Sequence, residues 1–187
     1  MTRPLDWRRK RDGQLRLMSM DEVRETFAGV YHDHRQGLFT VALAITRDRA
    51  SAEDAIHEAF VRLLDSAGKE RLIHDHVAYA YGAVRRAAID QVRRRGNSLF
   101  VQESIFEDVS DETPCAIETA EADAVLRDAL EQLPEAERSA VVMRIYGELT
   151  FQQISAAIGD PLSTISSRYQ RALQRLRASL SYREALS

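Results

Sequence analysis

Residues 96–126 contain no lysine or arginine and hold eight acids: Glu103, Glu107, Asp108, Asp111, Glu112, Glu118, Glu121 and Asp123. Just before them, residues 85–95 read RRAAIDQVRRR, five arginines against one aspartate. Gly96-Asn97 opens the acidic stretch and Pro114 lies inside it. A change this abrupt marks a domain boundary. It divides a chain of 187 residues into two units, each the size of a small domain. The chain carries only 8 glycines and 4 prolines, too few for the turns of a β-sandwich, and apolar residues recur at helical spacing. The expected fold class is therefore all-α: two small helical domains joined by an acidic, flexible linker. The expected boundaries are 20–97 and 118–182, with 98–117 as linker and 1–19 as a basic N-terminal tail.

In the first unit, Val23, Phe27, Val30, Tyr31, Leu38, Val41, Ala42 and Ile45 recur as one apolar stripe. Asp48-Arg49 interrupts it. Ser51 has Asp54 three residues on, a capping-box spacing, and a second helix is expected over 52–65. SAGKERLIHDH (66–76) reads as a polar loop. A third helix over 77–95 turns Val77, Tyr81, Val84, Ala88, Ile89 and Val92 inward and its arginines outward. In the second unit a helix is expected over 118–132. Leu133-Pro134 leads into another over 135–146, burying Ala140, Val141, Ile145 and Tyr146, with Gly147 at its end. Thr150 caps a short helix over 151–158. Gly159-Asp160-Pro161 makes a tight turn, and a last helix runs over 162–180 with Ile165, Tyr169, Ala172, Leu173 and Leu176 inward.

The chemistry concentrates in LTFQQISAAIGDPLSTISSRYQRALQRLR (149–177). A short helix, a glycine turn and a longer helix have helix-turn-helix spacing. The longer helix opens with Ser163, Thr164, Ser166 and Ser167. Their short polar side chains allow close approach to a DNA groove, and the helix N-terminus offers N–H groups to phosphate. Arg168 and Arg171, three apart, share a face and suit phosphate or guanine edges. The net charge of −3 hides this segregation, because basic helices flank an acidic middle.

These segments, in this order, resemble one known family. LPEAERSAVVMRIYGELTFQQISAAIGDPLSTISSRYQRALQRLR is similar to region 4 of the extracytoplasmic-function (ECF) group of bacterial RNA polymerase sigma factors, within the sigma-70 family. SAEDAIHEAFVRLL (51–64) resembles their region 2 core-binding helix. VAYAYGAVRRAAIDQVRRRG (77–96) resembles the helix that opens promoter DNA. The resemblance covers roughly residues 22–180. It implies a non-catalytic specificity subunit that binds core RNA polymerase and directs promoter recognition, DNA melting and transcription initiation. It implies docking of Asp54, His57, Glu58, Val61 and Arg62 on the β′ clamp helices, and of the helix around 134–146 on the β flap. For the −10 element it implies Lys69, Arg71, His74, His76, Tyr79, Arg85, Arg86, Arg93, Arg94 and Arg95. Tyr79 and Tyr81 offer ring faces for unstacked bases and the arginines offer charge for the exposed backbone. For the −35 element it implies Ser163, Thr164, Ser166, Ser167, Arg168 and Arg171. An anti-sigma factor is a further partner the resemblance admits.

Five positions depart from the family pattern. Tyr79 stands where tryptophan is usual, Arg86 where asparagine is, and His57 where glutamine is. The recognition helix opens Ser163-Thr-Ile-Ser166-Ser167-Arg168, without the usual glycine and lysine. The loss of a cation weakens attraction to phosphate. Two other readings stay open: a sigma-like mimic that binds protein partners without reading DNA, and a stand-alone helix-turn-helix regulator.

No serine–histidine–aspartate order, phosphate loop or paired-carboxylate spacing suggests an enzyme. His32-x-His34 and His74-x-His76 lack a third ligand, so neither metal nor cofactor is expected. The single cysteine, Cys115, lies in the acidic segment without a basic neighbour to activate it. It excludes an intrachain disulfide and fits a reducing, cytoplasmic setting. No run of 18 apolar residues suggests membrane insertion, and a monomer is expected when the chain is free. The acidic linker leaves two readings open: a solvated, flexible tether, or a segment whose charges cover the basic faces in the free protein.

Overall fold

The computed structural model describes residues 20–66, 75–96, 126 and 128–184. Among the described residues six helices carry the fold: α1 (Met20–Thr46), α2 (Arg49–Ser66), α3 (His76–Gly96), α4 (Glu135–Ile145), α5 (Phe151–Ile158) and α6 (Leu162–Glu184). Residues 128–131 form a further helical turn ahead of α4. No strand occurs among the described residues, as the helical periodicity predicts. None of the helices described is long and apolar enough to cross a membrane.

Helix boundaries follow local chemistry. At the α1–α2 corner Arg47 takes a left-handed φ of 55°, which ends α1. The expected cap at Ser51 is displaced. The Asp48 carboxylate accepts from the Ser51 N–H at 2.8 Å, and Ser51 itself is buried one turn inside α2. Burial alone would raise the Asp48 pKa. The hydrogen bonds from Ser51 and the ion pair with Arg95 outweigh it and hold the carboxyl below its usual range. Asp75 caps α3 in the same way, accepting from Ala78 N–H at 2.8 Å. Thr150 caps α5 as expected, and the cap is reciprocal. Its hydroxyl accepts from Gln153 N–H at 3.2 Å, while the Gln153 side chain accepts from Thr150 N–H at 2.9 Å.

α1, α2 and α3 pack as a three-helix bundle. Phe27, Val23, Val30, Leu63 and Ala80 close its far end. Phe60 and His76 meet Phe27 edge-on, with ring centroids 6.5 and 5.7 Å away. In the other half, Ala129, Leu133, Val141, Ala172 and Leu176 join the turn before α4 to α4 and α6. The largest apolar cluster belongs to neither half alone. It runs from Leu38, Val41 and Tyr81 through Val142, Met143, Leu149 and Ile154 to Ile165, so the two halves share a core. Gly37 and Gly82 permit this approach. A Cβ on Gly82 would sit 2.5 Å from the Ala157 carbonyl oxygen, and one on Gly37 would sit 2.7 Å from that of Tyr146.

Four residues expected inside lie outside: Tyr31, Val92, Ile145 and Tyr146 are 39%, 41%, 52% and 46% exposed. Tyr31 sits at the margin of the bundle, its ring edge-on to Phe60 at 5.3 Å. Val92 faces outward on α3, although Gln91 and Arg94 beside it reach Glu58 of α2. Ile145 and Tyr146 end α4, where the backbone rather than the side chains meets the first half.

Candidate nucleic-acid interface

The C-terminal half builds its helix-turn-helix from α5, the turn and α6. Gly159 adopts φ 87°, a left-handed conformation that glycine takes without a Cβ clash. Its N–H donates to Ser155 O at 2.8 Å, and the Ser155 hydroxyl donates to Asp160 O at 2.6 Å. Pro161 O then accepts from the N–H groups of Thr164 and Ile165 and starts α6. Ile154 and Ile165 are fully buried and fix the angle between the helices.

Along the first turns of α6, Ser163 and Ser167 are exposed, and Thr164 and Ser166 are half-buried. Ser167 donates back to Ser163 O at 2.8 Å. Arg171 projects outward, 57% exposed, with its guanidinium 3.9 Å from Glu137. Arg168 is drawn aside: it pairs with Asp160 of the turn, so it braces the motif as well as facing outward. Arg175 reaches Glu137 at 3.2 Å. The buried Glu137 thus anchors two α6 arginines to α4, and the sequence reading missed it. Arg138 beside it is also buried. Burial, then the nearby Arg47, lowers its pKa, while Glu131 O accepts from its guanidinium at 3.2 Å.

In the N-terminal half the candidate positions fall on two adjacent faces. Asp54, His57, Val61 and Arg62 are exposed along the outer side of α2. A groove of about 1020 Å³ between α1 and α2 is lined by Tyr31, Phe39, His57 and Phe60 among others. Glu58 is less free than its neighbours. It pairs with Arg62 one turn on and accepts from Arg94 of α3 at 2.9 Å. The Arg94 hydrogen bond, more than any other cause, holds its carboxyl below the usual range. A residue expected at the protein interface and one expected on DNA therefore clamp α2 to α3.

On α3, Arg86 and Arg93 are exposed, and Arg95 pairs with Asp48 at 2.8 Å. Tyr79 is half-buried, its ring 6.5 Å from Phe27. Two expected ring or cation donors are not at the surface. Tyr81 is fully buried at the seam between the halves, and burial pushes its phenol pKa far up. His76 lies half-buried against Phe27, and burial lowers its pKa, so it is no surface cation. Arg85 is 14% exposed and donates to both oxygens of Glu135, at 2.9 and 3.0 Å. Lys69, Arg71, His74 and the whole acidic segment lie outside the described residues. Neither Asp48 and Asp75 as caps nor Glu135 as a partner for Arg85 was read from the sequence. The Asp48–Ser51 and Asp75–Ala78 spacings carried a signal for the caps.

Comparison with known proteins agrees with this geometry. The family model for Sigma-70 region 2 matches residues 30–98, and that for Sigma-70, region 4 matches residues 129–178. The chain is similar to the RNA polymerase sigma factor SigV of Bacillus subtilis, 25% identical over 148 residues, which are 79% of this chain and 87% of that protein. It is also similar to the RNA polymerase sigma-E factor of Streptomyces avermitilis, 29% identical over 171 residues, 89% of this chain and 91% of the relative. Among solved structures, its fold resembles the sigma factor RpoE in complex with the anti-sigma factor NepR from Bartonella quintana. The TM-score is 0.66 at 18% identity, with 84% of this chain and 96% of that one covered.

Proposed function

Because the chain belongs to the sigma-70 family, as a non-enzymatic RNA polymerase sigma factor of the extracytoplasmic-function type that binds core polymerase, we propose a role for each of its faces. The exposed side of α2 (Asp54, His57, Val61, Arg62, with Glu58 beneath) docks on the β′ clamp helices of core polymerase, and α4 meets the β flap. The outer side of α3 reads and holds the melted −10 element through Arg86 and Arg93, joined by Tyr79, Arg85, Arg94 and Arg95 as the chain engages DNA. The start of α6 reads the −35 element through Ser163, Thr164, Ser166, Ser167, Arg168 and Arg171. Residues 20–97 and 118–182 serve as the two functional domains, with 98–117 between them.

The observation that carries this reading is the opening of α6. A left-handed glycine turn delivers a helix whose exposed side chains over its first two turns are Leu162 and the short hydroxyls Ser163 and Ser167, followed by the outward Arg171. That is the surface a major groove accepts. An anti-sigma factor is proposed as a further partner, supported by the fold shared with a sigma factor solved in such a complex. The protein acts in the cytoplasm, as a monomer until it meets polymerase.

The test is abortive transcription with purified core polymerase on a library of promoter fragments. RNA from a defined subset is expected, and the subset gives the promoter sequence. Core binding without RNA would support the mimic instead. Neither core binding nor RNA would overturn the reading.

A further inference from the structure

We propose that Glu135 stands in for a promoter phosphate on Arg85, so that closure of the two halves and DNA binding along α3 exclude each other. The inference rests on the reading of α3 as a DNA-contacting helix. Arg85 meets Glu135 in the two-pronged geometry with which a guanidinium grips either a carboxylate or a phosphate. Ser139 donates to the same carboxylate at 2.7 Å and fixes its direction. One turn back on α3, Tyr81 and Gly82 are covered by the C-terminal half. One stripe of α3 is therefore occupied by protein, while Arg86 and Arg93 on another stripe stay exposed.

The contact is built to close and to release. Gly82 lets α3 approach the α5 backbone so closely that a Cβ would fall 2.5 Å from Ala157 O. Yet the Tyr81 hydroxyl is buried in this seam without a hydrogen-bond partner. The hydroxyl lies where Gly37 of α1 meets the Tyr146–Gly147 backbone, so opening of the seam uncovers it. Opening also frees the Arg85 guanidinium, which then needs an anion. DNA supplies one, and the exchange of carboxylate for phosphate keeps Arg85 paired in both states.

The experiment uses the full free chain. Glu135→Gln removes the carboxylate, and Gly82→Gln wedges the seam with a side chain that a helix tolerates. Small-angle scattering gives the radius of gyration, and fluorescence anisotropy gives affinity for a mixed-sequence single-stranded oligonucleotide at low salt. Both variants are expected to expand the chain and bind DNA about fivefold more tightly, as a rise of the open population from roughly a tenth to a half implies. Arg85→Ala added to Glu135→Gln is expected to abolish the gain. Glu131→Gln, which removes the same charge without facing Arg85, is expected to leave affinity unchanged. Expansion without tighter DNA binding, or an equal gain in Glu131→Gln, would overturn the proposal. If Gly82→Gln loses its helical circular dichroism, the Glu135→Gln result alone decides. Failure of the sigma-factor reading would register separately, as absence of RNA from the unaltered chain with core polymerase.

Discussion

The two halves of this molecule stabilise themselves by different means. The N-terminal bundle relies on apolar and aromatic packing: Phe27 with Phe60, and Tyr31 on Phe60. It leaves Arg86 and Arg93 exposed on α3. The C-terminal half is smaller and has few aromatic contacts, chiefly Phe151 edge-on to Tyr169 at 5.3 Å, with Arg144 over Phe151 at 5.5 Å. It recruits its own charges instead. Glu137 and Arg138 are buried, Arg175 and Arg171 face Glu137, and Arg168 ties back to the turn. Arg86 or Arg93 on α3 can therefore be removed without breaking an ion pair that holds the fold, whereas Arg168 on α6 doubles as a brace. Mutational effects on DNA binding must be read differently in the two halves.

The largest expected effect tests whether the halves are separable at all. Ile154 is fully buried in the cluster that both halves share. Ile154→Ala is expected to cost about 2–5 kcal/mol of unfolding free energy in urea titration. Val61→Ala, on the exposed side of α2, is expected to stay within about 0.5 kcal/mol. A loss near that smaller value for Ile154→Ala would mean that the shared core contributes little, and the halves would have to be treated as independent.

The contrast between the arginines sharpens next. Arg168→Ala and Arg171→Ala are each expected to weaken the promoter complex of the holoenzyme, by about 1–3 kcal/mol where the side chain reads a base. Arg168→Ala should also lower the melting temperature, since it strips Asp160 of its partner. Arg86→Ala and Arg93→Ala should weaken the complex with no thermal change, and each should reduce the salt dependence of binding. Equal melting temperatures across all four variants would erase the distinction drawn between the halves.

A smaller effect is expected at the α5 cap. Thr150→Ala removes the hydroxyl that accepts from Gln153 N–H and should cost about 1 kcal/mol, measured by urea unfolding. This element was legible in the sequence, because a cap and a glycine turn are local devices spelled out within a few residues. The helices were legible for a similar reason: the stripe from Val23 to Ile45 repeats at the helical period. The seam was not. Gly37, Gly82 and Ala157 are small residues in unremarkable helical contexts, and only the folded backbone shows what they approach. Arg85 illustrates the same limit on the site side. Its charge marks it as a candidate for phosphate, but its carboxylate partner lies 50 residues away across the acidic segment. Tyr81 was read both as core and as a base-stacking ring, and burial in the seam decides for core.

The finest prediction concerns acid. All five histidines of the chain lie in the N-terminal half, so any stability change between neutral pH and mild acid should originate there. His76 is the one expected to matter. Its Nε2 is buried without a partner, against the Phe27 ring, and burial lowers its pKa from the ordinary 6.5. Asp75, next in sequence, acts in the opposite direction but does not prevail. A lowered pKa means that the unfolded chain takes up this proton before the folded one does. The free energy of unfolding should therefore hold above 6.5 and decline as pH falls from there toward the folded value. His76→Phe should flatten that decline. Asp75→Asn, which keeps an oxygen to cap Ala78 but removes the compensating charge, should steepen it. Urea unfolding across the pH series measures all three chains. An unchanged slope in His76→Phe would overturn the assignment to His76; Glu58 and Asp48, whose charged forms the fold favours, give up their contributions only lower, as pH falls below their ordinary 4.5 and 3.8.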